Sequence, residues 1–144
     1  MLIGEYKHNL DPKKRFAVPS KFRRELGNKV VITRGLDSCL FLFSVSEWNI
    51  LAEKLSKLPI GKQDTRGFVR LLLSGASEVD LDQLGRVLVP DYLKNYAGLK
   101  KKIVVAGLFN RLEIWDEENW QNYKSNVEKN TERVAEKLGE IGAI

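Results

Sequence analysis

The hydrophobic pattern of this chain changes period along its length, and the changes come in the same order twice. A strand is expected over about Gly4–Asn9 and again over Ser77–Leu81, each running into a turn that opens on an aspartate, Asp11 or Asp82. A short strand follows at Arg15–Val18 and at Arg86–Val89. Pro19 and Pro90 then stand at an expected first helical position, where a missing N–H costs nothing. Short helices run from there to Leu26 and Ala97, and a glycine stops each. Two further β segments follow in each half, Lys29–Thr33 with Cys39–Phe43 and Lys102–Ala106 with Arg111–Trp115. A longer helix closes each half. The first opens at Ser44-Val-Ser-Glu47 with capping-box spacing and carries Trp48, Leu51, Leu55 and Leu58 on one stripe. The second opens at Asp116-Glu-Glu118 and is expected to run unbroken to about Leu138. Its residues Trp120, Val127, Val134 and Ile141 lie seven apart, which reads as packing on the parent chain, with a subunit contact as the sharper alternative. Between the halves, Thr65–Ala76 reads as a helix whose centre, Phe68–Leu73, is apolar on most sides and therefore expected to be buried between them.

The pattern is a repeat. At an offset of 71, Gly4, Leu10, Asp11, Arg15, Val18, Pro19 and Gly27 meet identical residues. With one residue inserted, Gly35 meets Gly107, Leu36 meets Leu108, Leu40 meets Leu112 and Trp48 meets Trp120. The expected division is unit 1 over residues 1–58 with its closing helix at about 45–58, then a linker and inter-unit helix over 59–74. Unit 2 covers 75–125, and a C-terminal helical tail covers 126–144. A unit this small cannot cover both faces of a sheet, so two units are expected to share one core by crossing hairpins, about a pseudo-twofold axis.

Charge sharpens the picture. The net charge is +5, a balance that favours an anionic partner such as nucleic acid. Residues 1–34 hold nine Lys or Arg against three acids, whereas residues 111–144 hold five against eight. The single cysteine, Cys39, excludes an intrachain disulfide and reads as a small core residue of a reduced compartment. Charge arrives by Glu5, so no secretory leader is expected, and no apolar run reaches membrane-spanning length. The only histidine, His8, reads as a strand residue. With one Cys and one His there is no multi-ligand Cys/His metal site, and no phosphate loop or catalytic constellation is visible. No cofactor and no small-molecule substrate are therefore expected. The run Lys100–Lys102 reads as a solvated loop entering a strand, with non-specific DNA contact as the alternative.

The most informative element is Asp11-Pro-Lys-Lys-Arg15, matched by Asp82-Gln-Leu-Gly-Arg86, each with Val-Pro three residues beyond the arginine. This pairing resembles the MraZ family, within the AbrB/SpoVT-like swapped-hairpin DNA-binding proteins. Met1-Leu-Ile-Gly-Glu-Tyr6, Gly35-Leu-Asp-Ser-Cys-Leu40 and Lys62-Gln-Asp-Thr-Arg66 are also similar to that family. The resemblance covers residues 1 to about 124. It implies an α+β fold, mainly a β swapped-hairpin double-unit barrel with flanking helices. It also implies a cytoplasmic, nucleoid-associated regulator that assembles into rings. Such a regulator acts on short direct repeats in the promoter of the division and cell-wall gene cluster.

The residues support part of this by themselves. Lys13, Lys14 and Arg15 would share one exposed turn. Arg15 is the candidate for a guanine edge, Lys13 and Lys14 for phosphates, and Lys7 is a lesser candidate on the preceding strand. The alternative for Asp11, Asp82 and the arginines is structural, with the aspartate capping the turn and the arginine folding back on it. Leu84 and Gly85 replace the lysines in the second turn, which leaves Arg86 the weaker contact candidate. One basic hairpin offers few phosphate contacts, so avidity across a homo-oligomer is part of the expectation. A protein-interaction module of antitoxin type is the alternative function, and an enzyme on the same fold is the remotest.

Overall fold

The computed structural model describes residues 1–144 as an α+β protein of eight strands and six helices. Unit 1 supplies β1 (Leu2–Asn9), β2 (Arg15–Ala17), α1 (Ser20–Leu26), β3 (Lys29–Arg34), β4 (Leu40–Ser44) and α2 (Val45–Ser56). After α3 (Gln63–Ser74), unit 2 supplies β5 (Ser77–Asp80), β6 (Arg86–Leu88), α4 (Asp91–Ala97), β7 (Lys102–Phe109) and β8 (Leu112–Asp116). The chain closes with α5 (Glu117–Glu128) and α6 (Thr131–Glu140).

The strands pair across the two units. A six-stranded antiparallel sheet runs β1-β7-β8-β4-β3-β5, and β2 pairs with β6 in a separate two-stranded ribbon. Exchanging β1 with β5, β3 with β7 and β4 with β8 returns the same order read backwards, so the pseudo-twofold axis passes between β4 and β8. Each unit lends its first strand to the other: β1 pairs with β7, and β5 with β3. A closed barrel is not shown, because β1 and β5 end the ladder and the ribbon stands apart from it.

Alternation of side chains along the strands sorts the core into two layers. Val30, Ile32, Leu40 and Leu42 join their counterparts Ile103, Val105, Leu112 and Ile114 on one face. That face is covered by Phe16 and Val87 of the ribbon and by Phe22 and Leu93 of α1 and α4. One core thus contains matched residues of both units. The opposite face holds Phe41, Phe43, Val104 and Trp115, covered by Trp48 and Leu51 of α2 and Trp120 of α5. Caps set both long helices: Ser44 Oγ accepts from Glu47 N at 3.2 Å, and an Asp116 carboxylate oxygen accepts from Asn119 N at 3.3 Å.

Four expectations need correction. The closing helix of unit 2 is not continuous to Leu138, because α5 ends at Glu128 and α6 starts at Thr131. Side chains at the break compete for helical carbonyls: Thr131 Oγ1 donates to Val127 O at 2.9 Å and Asn130 Nδ2 to Asn126 O at 3.4 Å. Secondly, α3 is not buried between units. Only Leu72 is buried, while Phe68 and Leu71 stay exposed and the helix lies on β3 and α2. Thirdly, Pro19 and Pro90 hold extended N-cap positions rather than the first helical ones. Their carbonyls accept from Phe22 N at 2.9 Å and Leu93 N at 3.1 Å.

The fourth correction concerns register. Leu10 N donates to Lys101 O and Leu81 N to Asn28 O, each at 2.8 Å, so Asn28 corresponds to Lys101. Val30 faces the cap residue Ser44 and Ile103 the cap residue Asp116, so Val30 corresponds to Ile103 at the same offset of 73, and Ser44 to Asp116 at 72. Unit 2 therefore carries two extra residues, Leu99 and Lys100, and a β7–β8 turn one residue shorter than the β3–β4 turn. Gly35 and Gly107 are not structural equivalents, nor are Leu36 and Leu108. The insertion follows a left-handed helix end: Gly98 has φ +60°, and Leu99 N donates to Lys94 O at 3.0 Å. Leu99 is buried in the shared core, Lys101 O meets Leu10 N of unit 1, and Lys100 lines the same cleft beside the first turn.

Candidate nucleic-acid interface

The loops joining β1 to β2 and β5 to β6 have the same internal construction. Asp11 N donates to Arg15 O at 2.8 Å and Lys14 N to Asp11 O at 2.9 Å, and the Asp82 loop repeats both bonds at 3.1 and 2.9 Å. This is the three-residue hairpin loop whose last position takes a left-handed conformation and usually a glycine. Gly85 fills that position with φ +73°, but in the first loop Lys14 does, with φ +63°. A side chain in this region costs about 1–2 kcal/mol.

Each aspartate then locks its arginine. Asp11 Oδ1 accepts from the N–H of Lys13 and of Arg15, both at 2.9 Å, and its Oδ2 accepts from Arg15 Nε at 2.9 Å. Asp82 does the same for Leu84 N, Arg86 N and Arg86 Nε, at 2.9, 2.8 and 2.6 Å. The Arg15 backbone N–H, followed by its guanidinium, holds the Asp11 carboxyl below the ordinary carboxylate range; Arg86 does so for Asp82. Only Nε is used in each guanidinium. The two terminal nitrogens of Arg15 and Arg86 make no hydrogen bond within the chain. The aspartates thus hold the turns, and each arginine keeps its terminal nitrogens unbonded within the chain.

The ribbon brings the two arginines together. Arg15 faces Leu88 across it, and Ala17 faces Arg86. Phe16 and Val87 point into the core, so by alternation Arg15, Ala17, Arg86 and Leu88 share the outward face. Arg15 and Arg86 lie two residues apart along the strands, or about 7 Å. The pairing between units, which no local motif signals, makes Arg86 a neighbour of Arg15.

The remaining candidates are dispersed. Lys13 is exposed at the turn tip and makes no ion pair, while Lys14 pairs with Asp91 on α4. Lys7 is exposed on β1 and lines a different cleft with Asn9, Lys102 and Glu117. Burial lowers the pKa of His8, which leaves the ring neutral at pH 7. Burial raises that of Cys39, whose Sγ donates to Leu36 O at 3.1 Å, so the thiol stays protonated. No group of three His, Cys, Asp or Glu side chains is placed to hold a metal ion, and no helix is long and apolar enough to cross a membrane.

Comparison with known proteins agrees with this duplicated build. The chain is 49% identical over 142 residues to a protein of Caldicellulosiruptor saccharolyticus named transcriptional regulator MraZ, with 99% of each chain covered. A protein of the same name from Clostridium beijerinckii is 51% identical over 143 residues, again covering 99% of each chain. One from Natranaerobius thermophilus is 48% identical over 138 residues, covering 96% of each. The family description of MraZ proteins, which adds that they are antitoxin-like, matches twice in tandem, over residues 1–71 and 72–140. The chain belongs to the MraZ family.

Proposed function

We propose that this protein is a sequence-specific DNA-binding transcriptional regulator that reads duplex DNA with its β2–β6 ribbon. The supporting observation is the outward face of that ribbon, where Asp11 and Asp82 orient Arg15 and Arg86 by Nε and leave both terminal nitrogens of each unbonded within the chain. A two-stranded ribbon fits the major groove, and a guanidinium fork matches the O6 and N7 acceptors of guanine. Lys13 and Lys14 take phosphates on the flanking backbone, and Lys7, in a separate cleft on β1, is a lesser phosphate candidate. The relatives' name, transcriptional regulator, supports the same reading.

The finer account is that several protomers, assembled in a ring, engage short direct repeats upstream of the division and cell-wall gene cluster. Location is the cytoplasm, at the nucleoid. Avidity supplies what the few contacts of one ribbon cannot. Units over residues 1–58 and 75–125, joined by the segment 59–74 and followed by a tail, are the division proposed for this work. A second reading, a protein-binding module of antitoxin type, draws on the apolar residues Val134 and Ile141 of the tail, both exposed. A small stoichiometric partner co-purifying with the chain would favour it.

The test is binding of fluorescent duplexes carrying the gene's own upstream region. Arg15→Ala should abolish preference for that region over random duplex while the assembly keeps its mass in light scattering. Retained preference would overturn the assignment of Arg15.

A further inference from the structure

We infer that the cleft beside the first turn is a phosphate-backbone clamp built from both units, with Lys94, Lys100 and Lys101 of unit 2 closing on Lys14 of unit 1. The inference rests on the DNA-binding reading above and assigns it contacts outside the ribbon and its turns. The cleft, of about 420 Å³, is walled by Asp11, Pro12, Lys14, Lys94, Lys100 and Lys101 with Leu10 at its base. Four of its side chains are cations. Lys94 and Lys101 make no ion pair within the chain, whereas Lys14 pairs with Asp91 and Lys100 with Asp116 and Glu118 at 3.8 and 3.7 Å.

The pseudo-twofold axis supplies an internal control, because the same place beside the second turn is built differently. Gly85 stands for Lys14, Arg23 for Lys94 and Asn28 for Lys101, and Lys100 has no counterpart. Arg23 does not face solvent freely there. Its Nε donates to Val18 O at 3.0 Å, and it lies so close over Gly85 that a Cβ would come within 2.2 Å of that nitrogen. The second site is thus filled by a structural arginine, whereas the first is open and lined with lysines.

Three departures from symmetry converge on the one cleft. Unit 2 carries its two-residue insertion there, with Leu99 anchored in the core and Lys100 at the rim. The asparagine position carries a lysine. The left-handed turn position carries a lysine in spite of its steric cost. The second site closes without any of the three, while in the first Leu99 also packs in the core and Lys14 also pairs with Asp91. A polyanion with charges spaced along a backbone suits ammonium groups that ring an open cleft and need no fixed geometry. The duplex that meets Arg15 in its major groove brings its phosphates to the edge of the ribbon, where this cleft lies.

The experiment uses the full chain with Lys94→Gln and Lys101→Gln combined. A charge-matched control, Lys57→Gln with Lys62→Gln, changes two exposed lysines on the α2–α3 connection. Binding is measured between 50 and 300 mM salt to the upstream duplex and to a random duplex of equal length. Loss of two phosphate contacts should lower the slope of log affinity against log salt by about 2 per engaged protomer on both duplexes. The ratio between the duplexes should stay as in wild type. An unchanged slope, or a fall no larger than the control's, would overturn the clamp, as would a lost ratio at constant slope. Failure of the regulator reading looks different: wild type would show no preference for the upstream duplex, and the slope would still respond to the double variant. Wild-type chain that bound neither duplex would overturn both.

Discussion

Among single residues, one equivalent position is occupied by Lys14 in one loop and by Gly85 in the other. The loop geometry demands a left-handed residue there, and only glycine takes it freely. Lys14 takes it with a surface ion pair to Asp91, and the phosphate contact proposed for it is a role outside folding that this steric cost fits. Lys14→Gly should therefore leave stability within about 1 kcal/mol of wild type in denaturant unfolding, while lowering the salt slope on random duplex by about 0.9. The converse change, Gly85→Ala, should cost about 1–2 kcal/mol from backbone strain, and more where Arg23 cannot yield. A loss above 2 kcal/mol from Lys14→Gly would show that the lysine is held for the fold. The Asp-x-x-x-Arg spacing is legible in sequence, and so is the possibility of an aspartate–arginine pair. Use of Nε alone is not, because it depends on where the guanidinium meets the carboxylate.

At the scale of elements, caps and apolar stripes locate the strands and helices well, since Ser44, Asp116 and the glycines after α1 and α4 act within a few residues of where they stand. The misreadings arise where a local pattern has a distant cause. The seven-residue stripe continues past Asn130, so it hides the break that Asn130 and Thr131 introduce by bonding back to α5. In α3 the apolar run suggests burial, yet Thr33 Oγ1 donates to Leu72 O at 2.7 Å and Arg34 to Leu71 O at 3.0 Å, tying the helix to β3 by polar anchors. Their equivalents on β7 are Ala106 and Gly107, and no residue of α6 is buried. Removing residues 131–144 should accordingly change the unfolding free energy by less than about 1 kcal/mol. A larger loss at high protein concentration alone would mean that α6 is covered by another copy.

For the whole molecule, the duplication is visible in the sequence as identities, but its register is not. A two-residue insertion before β7 and a shorter β7–β8 turn nearly cancel, so Gly35 and Leu36 fall opposite Gly107 and Leu108 by coincidence. Gly4 and Gly75 also match in sequence, although one lies within a strand and the other ends a helix. Pairing between units decides both the shared core and the ribbon, and it puts Arg86 beside Arg15 where the second loop's composition alone argues against it. In the proposed reading this arginine face reads bases while the surrounding lysines hold phosphates. The most direct measurement is the ratio of affinities of Arg15→Lys for the upstream and random duplexes, at a fixed salt concentration. Lysine keeps the charge and removes the fork, so random-duplex binding and its salt slope should match wild type. The ratio should fall by roughly 5- to 150-fold, equivalent to about 1–3 kcal/mol for one lost bidentate contact. A ratio equal to that of wild type would contradict base reading by the ribbon.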